Sequence, residues 1–238
     1  MNITNTDIKN LKDKKYRRDN GLFLVEGDKF CRDLLITDVE IIYTITNDHA
    51  LTGFPNTCVV SDKMLASLAT TKTNQSIICV CRTRVFPIHS IGNALILDNL
   101  QDPGNVGTLI RSARAFGFSD IYLVDCADVY SEKVIRSSAG LVMSSRVHIC
   151  DYGTIHKNKE KIAENFIVAD MFGTRLDKIH LPKSRLAVII GNEGNGVSAE
   201  LISACDKAIT LPMTSNVESL NAGVAGSIMM YEIFKGEQ

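Results

Sequence analysis

The hydrophobic positions along this 238-residue chain fall into two successive series of short strand-like and helix-like patterns. In the first, Thr6 is placed to cap a helical turn carrying Ile8 and Leu11, GLFLV (21–25) reads as a strand, and 28–35 reads as a helix. Strands are expected again over 39–46 and 57–60. Ser61 is placed to cap a helix carrying Met64, Leu65 and Leu68, and SIICVC (76–81) closes the series as a strand. The second series opens at ALILD (94–98). It continues with a helix over 105–116, a strand over 120–124, a short helix over 131–138 and a strand over 146–149. A helix over 155–164 and a strand over 166–169 follow, then LAVII (186–190), the most apolar strand of the chain. A helix near 198–204, a strand over 208–211 and a long helix over 220–234 complete the pattern.

Continuous apolar strands separated by helices predict a parallel sheet covered on both faces, an α/β fold. Between the two series, TRVFPIHSIGN (83–93) holds Pro87 and Gly92 and keeps no period, so it reads as a connection. The chain then divides into a small α/β domain of residues 1–85, a linker of 86–93 and a larger domain of 94–238. Ligands of such sheets sit beyond the carboxyl ends of the strands. The loops after Leu97, Ile190 and Leu211 are therefore the places to look for chemistry.

Composition removes several classes. Hydrophobic residues are 45% and charged residues 22%, ordinary for a globular chain and unlike a disordered or coiled-coil one. No apolar run approaches the roughly 18 residues of a membrane span. MNITNTDIKN has no apolar core and does not read as a secretory leader. Seven cysteines, an odd number with several inside apolar strands, argue against a disulfide framework and fit a reducing cytoplasm. Cys79 and Cys81 share a strand face, but two thiols do not make a zinc site, and no two histidines have ligand spacing, so no metal is expected.

The net charge of -1 predicts no polyanionic partner, but the regional count differs. Residues 1–90 hold 12 Lys+Arg against 10 Asp+Glu, net +2; residues 91–238 hold 14 against 17, net -3. Lys9, Lys12, Lys14, Lys15, Arg17 and Arg18 crowd one short stretch with only Asp13 opposing them. That is either a solvated helix face or a patch facing phosphates.

Each of the three loops carries polar residues of a distinct kind. In DNLQDPGNVGTLIR (98–111), Pro103 and Gly104 read as a turn, with Asn105 and Arg111 on the helix that follows. Asn105 and Arg111 are a phosphate-binding pair at a helix start, or a plain N-cap and a surface residue. GNEGNG (191–196) lets a ligand approach the backbone. Its glycine spacing is not that of a dinucleotide fingerprint, and no Gly-Lys-Ser/Thr of a phosphate loop occurs. Glu193 is an odd choice for a mere turn. In LPMTSNVESLNAG (211–223), Ser215, Asn216, Ser219 and Asn221 precede a helix rich in small residues. They read as a neutral nucleoside pocket, or the helix as a tightly packed face.

Taken in order, NVGTLIR, IIGNEGNGVS and LPMTSNVESLNAGVAGSIMMYE resemble the three motifs of the SpoU-type (TrmH-like) branch of the SPOUT superfamily, the S-adenosylmethionine-dependent RNA ribose 2′-O-methyltransferases. KKYRRDNGLFLVEG resembles, more weakly, the opening of the ribosomal-protein-like RNA-binding domain often fused ahead of that catalytic domain. The resemblance implies a parallel-sheet domain with a deep C-terminal trefoil knot, an arrangement general topology rules treat as nearly nonexistent. It also implies a homodimer formed through the C-terminal domain, S-adenosylmethionine as cofactor, and RNA, chiefly 23S rRNA, as substrate. By matched position, Asn105, Arg111, Glu193, Ser219 and Asn221 form the reaction centre. Gly191, Leu211 and Leu220 contact the cofactor, with Ile190, Asn192, Gly196 and Met213 beside them. Lys12, Lys14, Lys15, Arg17 and Arg18 become the RNA-binding set. The alternatives are a tRNA substrate, a non-catalytic RNA-binding relative and, disfavoured by the glycine spacing, a nicotinamide-dependent oxidoreductase.

Overall fold

The computed structural model describes residues 4–71, 75–179, 185–214 and 219–237. The chain forms two compact units: Met1–Arg84 with Tyr130–Arg136, and Val85–Val129 with Ser137–Gln238.

In the first unit the order is α1 (Asn5–Asn10), α2 (Lys14–Asn20), β1 (Leu22–Glu26), α3 (Asp28–Leu34), β2 (Ile41–Thr46), β3 (Thr57–Val59), α4 (Asp62–Leu68) and β4 (Ile77–Arg82). The sheet runs β1-β4-β2-β3, with only the β2–β3 pair parallel. Its core is Ile8, Leu11, Leu24, Ile45, Leu65 and Ile78 with their neighbours. Ser61 caps α4, accepting from the Met64 N–H, as its position predicts. The first cap is not Thr6 but Thr4: its hydroxyl accepts from the Asp7 N–H at 3.2 Å while Asp7 Oδ2 accepts from the Thr4 N–H at 2.8 Å. This reciprocal capping box satisfies two helix-end donors, which Thr6, two residues inside, could not do.

The second unit contains β5 (Ala94–Asp98), α5 (Pro103–Ala115), β6 (Asp120–Val124), β7 (Arg146–Cys150), α7 (Tyr152–Lys157), α8 (Lys159–Ile162), β8 (Asn165–Arg175), β9 (Leu186–Ile190), α9 (Ala199–Ala204), β10 (Lys207–Thr210) and α10 (Ala222–Glu237); α6 (Glu132–Ser137), which precedes β7 in the chain, belongs through Arg136 to the first unit. Its six strands lie in the order β10-β8-β9-β5-β6-β7, and every adjacent pair is parallel. All residues of β5, β6 and β9 are buried, which is why their sequences show no alternation.

Three departures from the pattern have physical causes. Pro103 and Gly104 are not a turn but the first residues of α5, because Asp102 is the N-cap and Pro is favoured at N1. The helix expected over 155–164 is split at Asn158, whose backbone leaves the helical region while its side chain donates to the Thr154 carbonyl. The strand expected to end at 169 continues to Arg175. Polar residues and Gly173 hide it in the sequence. A Cβ at Gly173 would lie 2.6 Å from Ala208 C and Ile209 N, so glycine lets β10 press against β8 where their register shifts.

The amino-terminal edge of this sheet is fixed by a buried carboxylate. Asp120 is inaccessible and accepts from Arg146 Nε at 2.8 Å and Ser119 Oγ at 2.7 Å, with His148 Nε2 at 2.9 Å. Arg146 also donates to the His89 carbonyl, and Tyr122 exchanges a hydrogen bond with Ser90, so the 86–93 segment is tied to the sheet. Burial alone would raise the Asp120 pKa. The hydrogen bonds from His148, Arg146 and Ser119 outweigh it and hold the carboxyl down at about 2. Its stabilisation is complete above the unfolded-state value and fades as pH falls through the folded one. Asp120→Asn is therefore expected to be less stable by about 2 kcal/mol at pH 7. In urea titrations the gap should close between pH 4 and about pH 2. A constant gap would mean the charge is not what stabilises.

Candidate active site

The site forms where β5, β9 and β10 end. Asp98, the last residue of β5, is fully buried. Its two oxygens accept from the Tyr152 hydroxyl at 2.9 Å and the Ser198 N–H at 2.6 Å. Burial, together with the hydrogen bond to Asp98, holds the Tyr152 phenol above its ordinary pKa, so it remains a donor. Ser198 in turn caps α9 through its hydroxyl. One carboxylate thus ties the end of β5, where the first loop begins, to α7 and to the residue that caps the helix after the second loop.

Asp102 Oδ atoms accept from the Gly104 and Asn105 N–H groups, both at 3.2 Å. With the cap supplied by Asp102, the Asn105 side chain is released from that task. It is buried, and its Nδ2 donates to Glu193 Oε1 at 2.5 Å. This short contact joins the first loop to the tip of the second.

The second loop is a tight backbone turn. Asn192 and Gly196 exchange two N–H···O bonds of 2.9 Å each. Asn192 Oδ1 accepts from the N–H groups of Gly194 and Asn195, and its Nδ2 donates to the Asn99 carbonyl. Gly196 has φ +69, and a Cβ on Gly191 would collide with the Gly196 carbonyl and the Val197 nitrogen. Two glycines are therefore required by geometry. Glu193 is carried at the tip of this rigid turn.

The third loop leads into α10, which lies against α5 and β9. A Cβ at Gly226 would strike Leu109, and one at Gly223 would lie 3.1 Å from both Asn105 Oδ1 and Asn221 Oδ1. Ser112 and Ser227 share a hydrogen bond of 2.7 Å across the two helices. The small residues of α10 thus serve close packing, while Ala222 and Ala225 also face a cavity. Asn221 Oδ1 accepts from the Val224 N–H at the helix start. Ser215 and Asn216 lie outside the described residues.

The cavity is a cleft of about 460 Å³. Ile190, Gly191, Asn192, Gly196, Leu211, Met213 and Leu220, the seven positions expected to hold a cofactor, all line it. Glu193 and Ser219 line it as well, and Asn105 reaches it through Glu193. Arg111 does not line it: the side chain is exposed on α5 and, among the described residues, has no ion-pair or hydrogen-bond partner. The cleft mixes apolar walls with exposed backbone polar groups, as a pocket for a nucleoside-containing ligand requires.

The basic stretch separates into two kinds of residue. Lys12 donates to the Ala69 carbonyl at 2.6 Å and Arg17 to the Leu11 carbonyl at 2.6 Å, so both are structural. Lys14, Lys15 and Arg18 are exposed; Lys15 and Arg18 stand 3.8 and 3.9 Å from Asp19. Sequence reasoning overlooked Asp98. Its signal was an acidic residue ending an otherwise apolar strand, since a buried charge must find partners.

Residues 92–231 match the SpoU rRNA methylase family model, and residues 5–79 match the MRM3-like substrate binding domain. The chain is 30% identical over 242 residues to the 23S rRNA (guanosine(2553)-2′-O)-methyltransferase RlmP of Bacillus subtilis, covering 95% of this chain and 94% of that protein. The AdoMet-bound rRNA methyltransferase of Sinorhizobium meliloti superposes with a TM-score of 0.86 at 24% identity, over 97% of this chain and 94% of the other. The SpoU methyltransferase AviRb of Streptomyces viridochromogenes, in complex with AdoMet, gives 0.86 at 20% identity, over 99% and 98%. At those identities the two likenesses establish the fold.

Asp98→Ala would leave the Ser198 N–H and the Tyr152 hydroxyl without their acceptor, at a cost of about 3 kcal/mol. Tyr152→Phe removes one hydrogen bond and should cost about 1 kcal/mol. Urea unfolding of both variants checks the difference; equal losses would mean the Ser198 link contributes nothing.

Proposed function

Because this chain belongs to the SpoU rRNA methylase family, we propose that it transfers a methyl group from S-adenosylmethionine to a ribose 2′-hydroxyl of RNA, with 23S rRNA as the substrate. The observation that supports the reaction centre is the Asn105–Glu193 contact at the cleft, with Asn105 on the same helix as the exposed Arg111. The cradle fits the cofactor on its own terms. Gly191 keeps the backbone bare at the cavity wall, and Ile190, Leu211 and Leu220 supply its apolar lining.

S-adenosylmethionine supplies a methyl carbon already made electrophilic by the sulfonium charge. The residues of the chain have two remaining tasks, to place the ribose oxygen in line and to ease loss of its proton. Glu193, held by Asn105, fixes the second loop against the first. Asn221 fixes the start of α10, and Ser219 lies on the cleft wall. Arg111 binds the phosphate beside the target ribose through its planar fork and stabilises the forming alkoxide. A guanidinium stays protonated, so it favours loss of the hydroxyl proton to solvent by its charge rather than by taking the proton itself; the O–CH3 bond would form as the S–CH3 bond breaks, leaving the demethylated thioether.

The reading extends to the assembly. Val224, Ile228 and Tyr231 are 46%, 39% and 46% exposed along one side of α10, an apolar stripe suited to a second copy of the chain. α10 packs against α5 and β9, and a C-terminal trefoil knot belongs to the same reading. The free state of all seven cysteines fits a cytoplasmic enzyme. Among the described residues, no helix is long and apolar enough to cross a membrane.

Incubation with methyl-labelled S-adenosylmethionine and in-vitro-transcribed 23S rRNA, followed by nucleoside mass spectrometry, tests the activity. A 2′-O-methylated nucleoside is expected; base methylation, or methylation of tRNA transcripts alone, would overturn it. Arg111→Ala should lower kcat by about 100-fold without changing S-adenosylmethionine affinity. Arg111→Lys should fall between, having the charge without the fork. A wild-type rate in Arg111→Ala would remove the residue from the reaction centre.

Within the RNA-binding set, Lys14, Lys15 and Arg18 are the exposed basic residues of α2. Their joint replacement by Gln should lower the salt dependence of RNA binding by about 2 in log–log slope. Lys12→Met should instead lower stability, because its ammonium holds the end of α4. An unchanged slope in the triple variant would return the cluster to a solvated helix face.

A further inference from the structure

β8 runs beyond its neighbour: β9 stops at Ile190, while β8, paired with β9 as far as Val168, continues to Arg175 alongside β10. This extension carries two large apolar side chains outward at the mouth of the cleft. Met171 is 57% exposed and Phe172 is 93% exposed, the highest among the described large hydrophobic residues. Both line the same cavity as Gly191 and Glu193. The segment is ordered by its own chemistry. Asp170 Oδ1 accepts from the Phe172 N–H at 2.7 Å, and Gly173 lets β10 close against the strand behind the ring. The ring is thus held out by a fixed backbone.

A bare aromatic ring in water has to be accounted for when it borders a reaction centre. A ribose in a stacked or paired strand cannot present its 2′-oxygen deep in a cleft unless the nucleotide leaves the stack. The unstacked base then loses its neighbours, and an exposed aromatic face replaces them without regard to base identity. We propose that Phe172 is the platform on which a base of the RNA substrate stacks when its ribose enters the cleft. Met171, beside it, supplies a polarisable edge to the same surface. This inference rests on the RNA-methyltransferase reading, and its test separates the two.

The chain contains no tryptophan, so Phe172→Trp installs a sole tryptophan, excited apart from the tyrosines, as a reporter at the platform. Its emission should be quenched on titration with in-vitro-transcribed 23S rRNA and unmoved by S-adenosylmethionine alone. Phe172→Ala should lower kcat/KM for that RNA by roughly tenfold with unchanged S-adenosylmethionine affinity by calorimetry, and Phe172→Tyr should restore it. Quenching by the cofactor alone would mean the ring covers the cofactor. Emission that changes with protein concentration and not with RNA would mean it meets a second copy. Either result, or a wild-type kcat/KM in Phe172→Ala, overturns the platform while leaving the methyl transfer standing. If wild-type protein methylates no RNA yet RNA still quenches the reporter, the platform stands and the catalytic reading falls.

Discussion

The active cleft exists because a side chain is missing at Gly191. The space a Cβ would need there is filled by the backbone of Gly196 and Val197. That contact folds the second loop into a turn with no slack, closed by paired Asn192–Gly196 bonds. Any side chain at 191 would push the turn outward and carry Glu193 away from Asn105. The same kind of constraint recurs at Gly226, where α10 meets Leu109 and Ile190. Loop and helix are therefore positioned by contact, and the cleft is what remains between them.

Close backbone contact sets shape, but polar groups set register. The two fully buried aspartates of the sheet do this at opposite ends. Asp120 accepts from two residues of β7 and from the turn before β6 at the amino edge, and Asp98 accepts from α7 and the start of α9 at the carboxyl edge. Burying a carboxylate is expensive unless it is fully hydrogen-bonded, and both have donors at 2.6–2.9 Å. The two differ in consequence. Asp120 holds the sheet and the segment leading into it. Asp98 holds the end of the loop that carries Glu193, so its energy is coupled to the geometry of the Asn105–Glu193 contact.

The strands of the second unit were legible in sequence because burial on both faces removes alternation, leaving runs such as ALILD and LAVII. The helix that matters most was legible only in outline. Asn105 read equally well as a cap or a ligand-binding residue; the cap is Asp102, three residues earlier, which no periodicity could reveal. The end of β8 was hidden because its pairing partner, β10, is an edge strand 32 residues downstream of Arg175 by its first residue, Lys207. Strand character there comes from the partner, not from the sequence of 170–175. The chemistry itself was read from a resemblance of three ordered motifs. Physical patterning alone reached a parallel α/β sheet with polar loops at its carboxyl edge. The basic stretch shows the limit of counting charges: Lys12 and Arg17 look like Lys15 and Arg18 until their carbonyl acceptors are seen.

A chain of net charge -1 is not a poor candidate for a polyanionic substrate once distance is considered. At physiological ionic strength, screening limits a charge to about 8 Å, so phosphates respond to the residues near them and not to the sum. Residues 91–238 carry net -3, with 14 Lys+Arg against 17 Asp+Glu, and a catalytic unit of that balance gains little from general attraction. On the proposed reading it holds its nucleotide by short-range terms: a bidentate arginine, a backbone-lined pocket and an aromatic face. Those terms share a property that bulk charge lacks, since each is satisfied only by a nucleotide already in the reactive arrangement. Weak overall attraction then becomes an advantage, because RNA bound in other registers is released rather than retained.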